Sequence, residues 1–193
     1  MAAAAAAFAL ALGGCGGANR QREPVQRIPA ELAREARPIG RGPRFHPPAR
    51  GPVLGACRRR LGPRDAAHVE LFAADRVVLV AAGIGTRPPR RRAEGRIAGA
   101  RCYGGLVTLD PTGVVLVRRG SPLTIADLFA SWGEPLGAHR MASFRARSVT
   151  AFVNGRRSRG PVGRIRLRRH AEIVLEVGPH VPPHSAYRFP PGD

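Results

Sequence analysis

The apolar residues between Ala67 and Val177 come in short runs, and that brevity limits the possible folds more than any other feature of the chain. Brief apolar runs bounded by Gly, Pro, Asn or Asp suit β-strands, whereas helices need longer periodic stretches. His68-Val69-Glu70-Leu71-Phe72 alternates like a strand with one polar face. Ala73-Ala74-Asp75-Arg76 predicts a turn, and Val77 to Val80 a more buried returning strand that stops at Gly83-Ile84-Gly85. Thr86 to Arg101 is rich in Arg and Pro without any period, which predicts a surface loop. Leu106 to Leu109 and Val114 to Val117 flank Asp110-Pro111-Thr112-Gly113, a hairpin turn in which Pro fixes φ and Gly tolerates its reversal.

A single helical stripe interrupts this pattern. Ile125, Leu128, Phe129 and Trp132 fall at i, i+3, i+4 and i+7. Thr124 is a natural N-cap, Asp127 favours the helix start, and Gly133 ends it. Residues 134–147 read as a connection. Val149 to Val153 followed by Asn154-Gly155 predicts a second hairpin, with further strands at Arg164 to Leu167 and Glu172 to Val177. The expected fold class is α+β: mainly antiparallel hairpins with one short packed helix, in a β-grasp-like order.

The N-terminus predicts a compartment. Residues 1–14 are apolar and uncharged, too short for a spanning helix of about 20 residues, but suited to a signal peptide. They end in Leu12-Gly13-Gly14-Cys15, which resembles the lipobox of bacterial lipoproteins. Small side chains admit the peptidase, and the Cys15 thiol would carry diacylglycerol. Anchoring then draws about 0.8 kcal/mol from each buried CH₂. The pattern departs from a usual signal peptide in one respect, that no basic residue precedes Arg20, and the alternatives for this stretch are an alanine-rich disordered leader of a cytosolic protein and an organelle transit peptide. The expected layout is a signal peptide at 1–14, a disordered Arg/Pro/Gly-rich tether at 15–56 and a single exported β-rich domain at 57–193. Localisation at the extracytoplasmic face of the cell membrane follows. With Cys15 lipidated, Cys57 and Cys102 remain, and an even remainder in an exported chain predicts a disulfide.

Charge says less than its size suggests. The formal net charge is +19, and all 32 basic residues are arginine. With abundant Ala, Gly and Pro, this skew fits a G+C-rich genome, so a nucleic-acid partner is not the first expectation. The arginines are scattered apart from short runs at Arg58-Arg59-Arg60 and Arg90-Arg91-Arg92, and aromatic residues are too few for a stacking platform.

Several segments, in order, resemble a family of exported, often lipoprotein, actinobacterial proteins without an assigned activity. They are Phe72 to Gly85, Cys102-Tyr103, Leu106 to Val117, Leu123 to Gly133, Val149 to Gly155 and His170 to Gly178. Ala81-Ala82-Gly83-Ile84-Gly85, Leu128-Phe129-Ala130-Ser131-Trp132-Gly133 and Ala171 to Gly178 stand where the family carries its motifs. The resemblance implies export and fold more than activity. Relatives often carry a His-rich opening and a later Leu-His-Thr-His-Asp, pairs that suit copper or zinc. Here the later motif is Leu106-Val107-Thr108-Leu109-Asp110, and only His68 remains of the opening.

The residue inventory carries no catalytic expectation. A G-x-S-x-G elbow is missing, and Gly83-Ile84-Gly85 lacks the third glycine and helix of a phosphate loop. His68, His180 and His184 are weak metal candidates only, and no cofactor is expected. The sequence therefore predicts a membrane-anchored cell-envelope lipoprotein with a non-catalytic binding or structural domain. The alternatives are a degenerate copper- or zinc-binding envelope protein and an Arg-rich nucleic-acid binder.

Overall fold

The structure, a computed structural model, describes residues 37–181 and 187–189. Arg37–Asp193 clusters as one compact unit. The expected signal peptide, Cys15, the first part of the tether and His184 lie outside the described residues.

The unit is built from strands β1 (Arg64–Ala73), β2 (Arg76–Val77), β3 (Thr86–Ala93), β4 (Arg96–Tyr103), β5 (Leu106–Val107) and β6 (Val114–Arg118). Helix α1 (Ile125–Trp132) follows, then β7 (Leu136–Gly137), β8 (Arg140–Met141), β9 (Phe144–Arg145), β10 (Val149–Val153), β11 (Arg156–Arg157) and β12 (Glu172–Val177). The main sheet runs β11-β10-β12-β1-β6-β5, with β2 hydrogen-bonded to β1. This is an α+β arrangement dominated by strands, as the alternation of His68 to Phe72 and the hairpin residues predict. Most pairings are antiparallel; the exception is central, where β1 and β12 run parallel with His68 opposite Glu172 and Phe72 opposite Glu176.

Period-2 alternation sorts each strand between two faces. On one face, Val69 and Leu71 of β1 and Ile173 and Leu175 of β12 meet Ile125, Leu128, Phe129 and Trp132 of α1. Each large side chain taken out of water there contributes roughly 1.5–3 kcal/mol. The helix starts where the cap residues predict. Asp127 N donates to Thr124 Oγ1, while Thr124 N donates to Asp127 Oδ2 at 2.8 Å, closing a capping box. Gly133 ends α1 in the left-handed region at φ 84°.

Four expectations change. Thr86 to Arg101 is not a loop: β3 and β4 pair as a ribbon around Glu94-Gly95. Most of β3 is exposed, so the ribbon has no continuous buried face to impose alternation on its sequence. Arg164 to Leu167 is not a strand. A 3-10 turn at Val162–Arg164 leads into it, Ile165 O accepts from Ile125 N, and Leu167 N donates to Leu123 O, which docks the segment at the start of α1. Residues 134–147 hold the small meander β7-β8-β9. The returning strand after β1 stops at Val77, although Val78 and Val80 are buried.

The compact unit also begins earlier than composition suggests. Residues 37–56, expected within the tether, pack on the domain. Trp132 Nε1 donates to Pro47 O at 3.0 Å, Arg50 N and Gly51 N donate to Trp132 O, and Gly105 N donates to Leu54 O. Phe45 packs against the core and tilts on Phe144, 4.9 Å between ring centres. Proline-rich backbone still supplies carbonyls, and buried donors such as the Trp132 indole need them.

Candidate functional site

Cys57 and Cys102 form a disulfide, with Cα atoms 5.3 Å apart. It ties the segment before β1 to the end of β4, beside a two-way backbone bridge between Arg58 and Tyr103. Closing a loop of this sequence separation, 45 residues, stabilises the fold by about 4 kcal/mol in the chain-entropy account. Near it lies a knot of arginine that sequence reading missed. Arg64 is 6% exposed and donates to the carbonyls of Leu61, Gly104, Gly105 and Leu116. Burial, and secondarily the neighbouring Arg118 charge, lowers its pKa to about 10. Arg118 donates to the carbonyls of Ala56 and Gly104. Two cations thus gather the ends of β1, β4 and β6 through backbone oxygens.

The second face of the sheet carries the titratable groups. His68, Glu70 and Phe72 alternate along β1, as do Glu172, Val174 and Glu176 along its parallel partner β12. His68 is buried; its Nδ1 lies 3.7 Å from Glu70 Oε1 and its Nε2 2.9 Å from Thr112 O. The Thr112 carbonyl can only accept, so Nε2 carries a proton and donates. The carbonyl is presented by the β5–β6 turn, whose Gly113 is indispensable: at φ 86°, a Cβ there would sit 2.4 Å from Val69 O. The Tyr187 ring stacks on His68 at 3.8 Å, and Tyr187 N donates to Glu172 Oε1 at 2.7 Å. A cleft of about 240 Å³ opens beside His68, Glu70 and Phe72.

At the far end of β12, Glu176 is 3% exposed. Its Oε1 accepts from Val181 N at 3.1 Å and its Oε2 bonds His180 Nδ1 at 2.8 Å. Val181 packs with Phe72 and Val174 beneath it. Glu172 and Glu176 therefore act as two latches that hold the chain after β12 back across the sheet.

The structure thus joins Cys57 to Cys102 and places His68 and His180 on this face, but at separate carboxylates. His68 stands opposite Glu172 and His180 binds Glu176, four residues or roughly 13 Å further along the strand. His184 and Cys15 lie outside the described residues. Among the described residues, no group of three or more His, Cys, Asp or Glu side chains could hold a metal ion. Among them, too, no helix is long and apolar enough to cross a membrane. The signal for the carboxylate row was present in the sequence, since Glu70, Glu172 and Glu176 each sit in period-2 strands. What was not legible was that β1 and β12 are neighbours, because a parallel pair is joined by no local turn.

No known protein family, curated protein or solved structure matches this chain.

Proposed function

We propose that this protein is a cell-envelope lipoprotein, held at the extracytoplasmic face of the membrane by lipid on Cys15, whose domain serves as a non-catalytic binding or structural module. The observation that carries the reading is the Cys57–Cys102 disulfide. The chain has three cysteines, so this pairing leaves Cys15 as the one outside it, at the end of the lipobox-like Leu12-Gly13-Gly14-Cys15. Disulfides persist in oxidising, extracytoplasmic compartments, where such a lipoprotein domain resides. A free thiol left by odd cysteine parity would be a liability there; a thioether-linked lipid removes it. The fold is read as β-grasp-like, with α1 packed on a sheet whose first and last long strands, β1 and β12, lie side by side and parallel. Membrane fractionation tests the anchor: wild type should sediment with membranes and a Cys15→Ala variant should not. Equal membrane association of both would sink the reading.

A second reading, binding of nucleic acid, gains one specific observation. The β3–β4 ribbon exposes Arg87, Arg91, Arg92, Arg96 and Arg101. Two-stranded ribbons fit the DNA major groove, and arginine binds phosphate well. A salt titration of DNA affinity decides, because phosphate contacts impose a steep negative slope. Binding that survives high salt unchanged, or is absent at low salt, removes this reading.

A further inference from the structure

The inner side of the β3–β4 ribbon holds a second cleft. Arg90 and Arg92, two residues apart on β3, both line it, while Arg91 turns away to donate Nη2 to Ala98 O at 3.3 Å. The cleft measures about 340 Å³ and its walls are largely apolar, with Pro47, Leu79, Ala82 and Pro111 among them. Such a volume lies in the range of small-molecule pockets, roughly 300–1,000 Å³.

Arg90 is fixed in place before any ligand arrives. Its Nε donates to Thr86 Oγ1 at 2.7 Å and its Nη2 to Thr86 O at 2.8 Å. Thr86 is itself buried and donates Oγ1 to Gly83 O at 2.7 Å. Gly83 leaves the guanidinium its space, since a Cβ there would lie 3.2 Å from Arg90 Nε. Both Thr86 acceptors are neutral, so they orient the charge without cancelling it. The Arg92 side chain, unlike its ladder-paired backbone, makes no hydrogen bond or ion pair among the described residues. Burial and then the Arg92 charge lower the Arg90 pKa. The exposed Arg92 charge therefore repels the partly desolvated Arg90 across the cleft, and no carboxylate is among the residues that line it.

We propose that this cleft binds a small amphipathic anion, a carboxylate or phosphate head on a short apolar body. The head bridges Arg90 and Arg92, whose planar guanidinium groups match either oxyanion through paired N–H donors. The body lies against Pro47, Leu79, Ala82 and Pro111. Desolvation by these walls strengthens the ion pairs, and a neutral molecule of the same shape forfeits them. The proposal does not rest on lipidation of Cys15, so failure of one leaves the other standing.

Calorimetric titration of the purified full-length protein with octanoate, octyl phosphate and 1-octanol at matched ionic strength tests it. The expected result is one saturable site for at least one anion, with 1-octanol weaker by about tenfold or more, the scale of one lost charge-assisted pair. A preference for octanoate assigns a carboxylate head and a preference for octyl phosphate a phosphate head; either supports the site. Arg92→Gln should weaken anion binding by a similar factor with an unchanged melting curve, because its side chain holds no part of the fold. Equal affinity for 1-octanol, undiminished binding in Arg92→Gln, or no saturable binding of either anion overturns the proposal.

Discussion

Arg64 shows how far a residue's role can depart from what its type suggests. In a chain of 32 basic residues it looks like one more surface charge. It is instead buried against four carbonyls, with burial pulling its pKa down to about 10. Only a planar fork with five donors serves so many acceptors at once. Arg64→Lys should therefore lower unfolding free energy by about 2 kcal/mol, as expected when buried hydrogen bonds from a charged group are lost. Urea unfolding measures it, and an unchanged midpoint would reject the structural role. Glu134 offers a pH test. Burial raises its pKa, against the pull of Arg140 and Arg50. The folded state then binds more protons than the unfolded one, so this contribution is fully present below the unfolded pKa and is lost as pH rises through the folded value. Glu134→Gln should accordingly melt higher than wild type at pH 7, with the gap closing as pH falls from the raised folded value toward 4.5, the ordinary value. A gap that widens on acidification would show the opposite sign.

Elements differed in how much their sequences disclosed. Helix α1 was legible at every level: Ile125, Leu128, Phe129 and Trp132 give its stripe, Thr124 and Asp127 its start, Gly133 its stop. Thr124→Ala removes the cap and should destabilise the fold by about 1 kcal/mol in thermal or urea unfolding; a change near zero would mean that the cap is redundant with packing. The β10–β11 hairpin was equally plain from Asn154-Gly155. The β3–β4 ribbon was not. Its exposed surface leaves alternation unselected, Pro88-Pro89 reads as a strand breaker, and pairing runs through irregular register on both sides of Arg90-Arg91. The cleft residues Arg90 and Arg92 were hidden with it, since a short Arg run carries no hint of which members share a face. The docked segment 37–56 was obscured for another reason. Its contributions are mostly backbone carbonyls such as Pro47 O and Leu54 O, which composition cannot register.

At the scale of the whole molecule, the sheet and the cysteines make a single case. The strands that meet at its centre, β1 and β12, come from opposite ends of the folded unit, and the chain beyond β12 returns over them through Glu172 and Glu176. Such long-range closure gives a domain that the Cys57–Cys102 disulfide reinforces, and a disulfide of this kind persists in the oxidising compartment that the proposed function assigns to it. Cysteine parity was readable from the sequence; the proximity of the pair needed the fold. The proposed function places lipid on Cys15, and that is the claim on which the reading depends. Intact-mass and peptide analysis of the protein purified from membranes of its expressing cells tests it most directly. The account predicts a mature chain beginning at Cys15, bearing a diacylglyceryl thioether, with Cys57 and Cys102 still joined. A chain that retains residues 1–14 with an unmodified Cys15 thiol would contradict it.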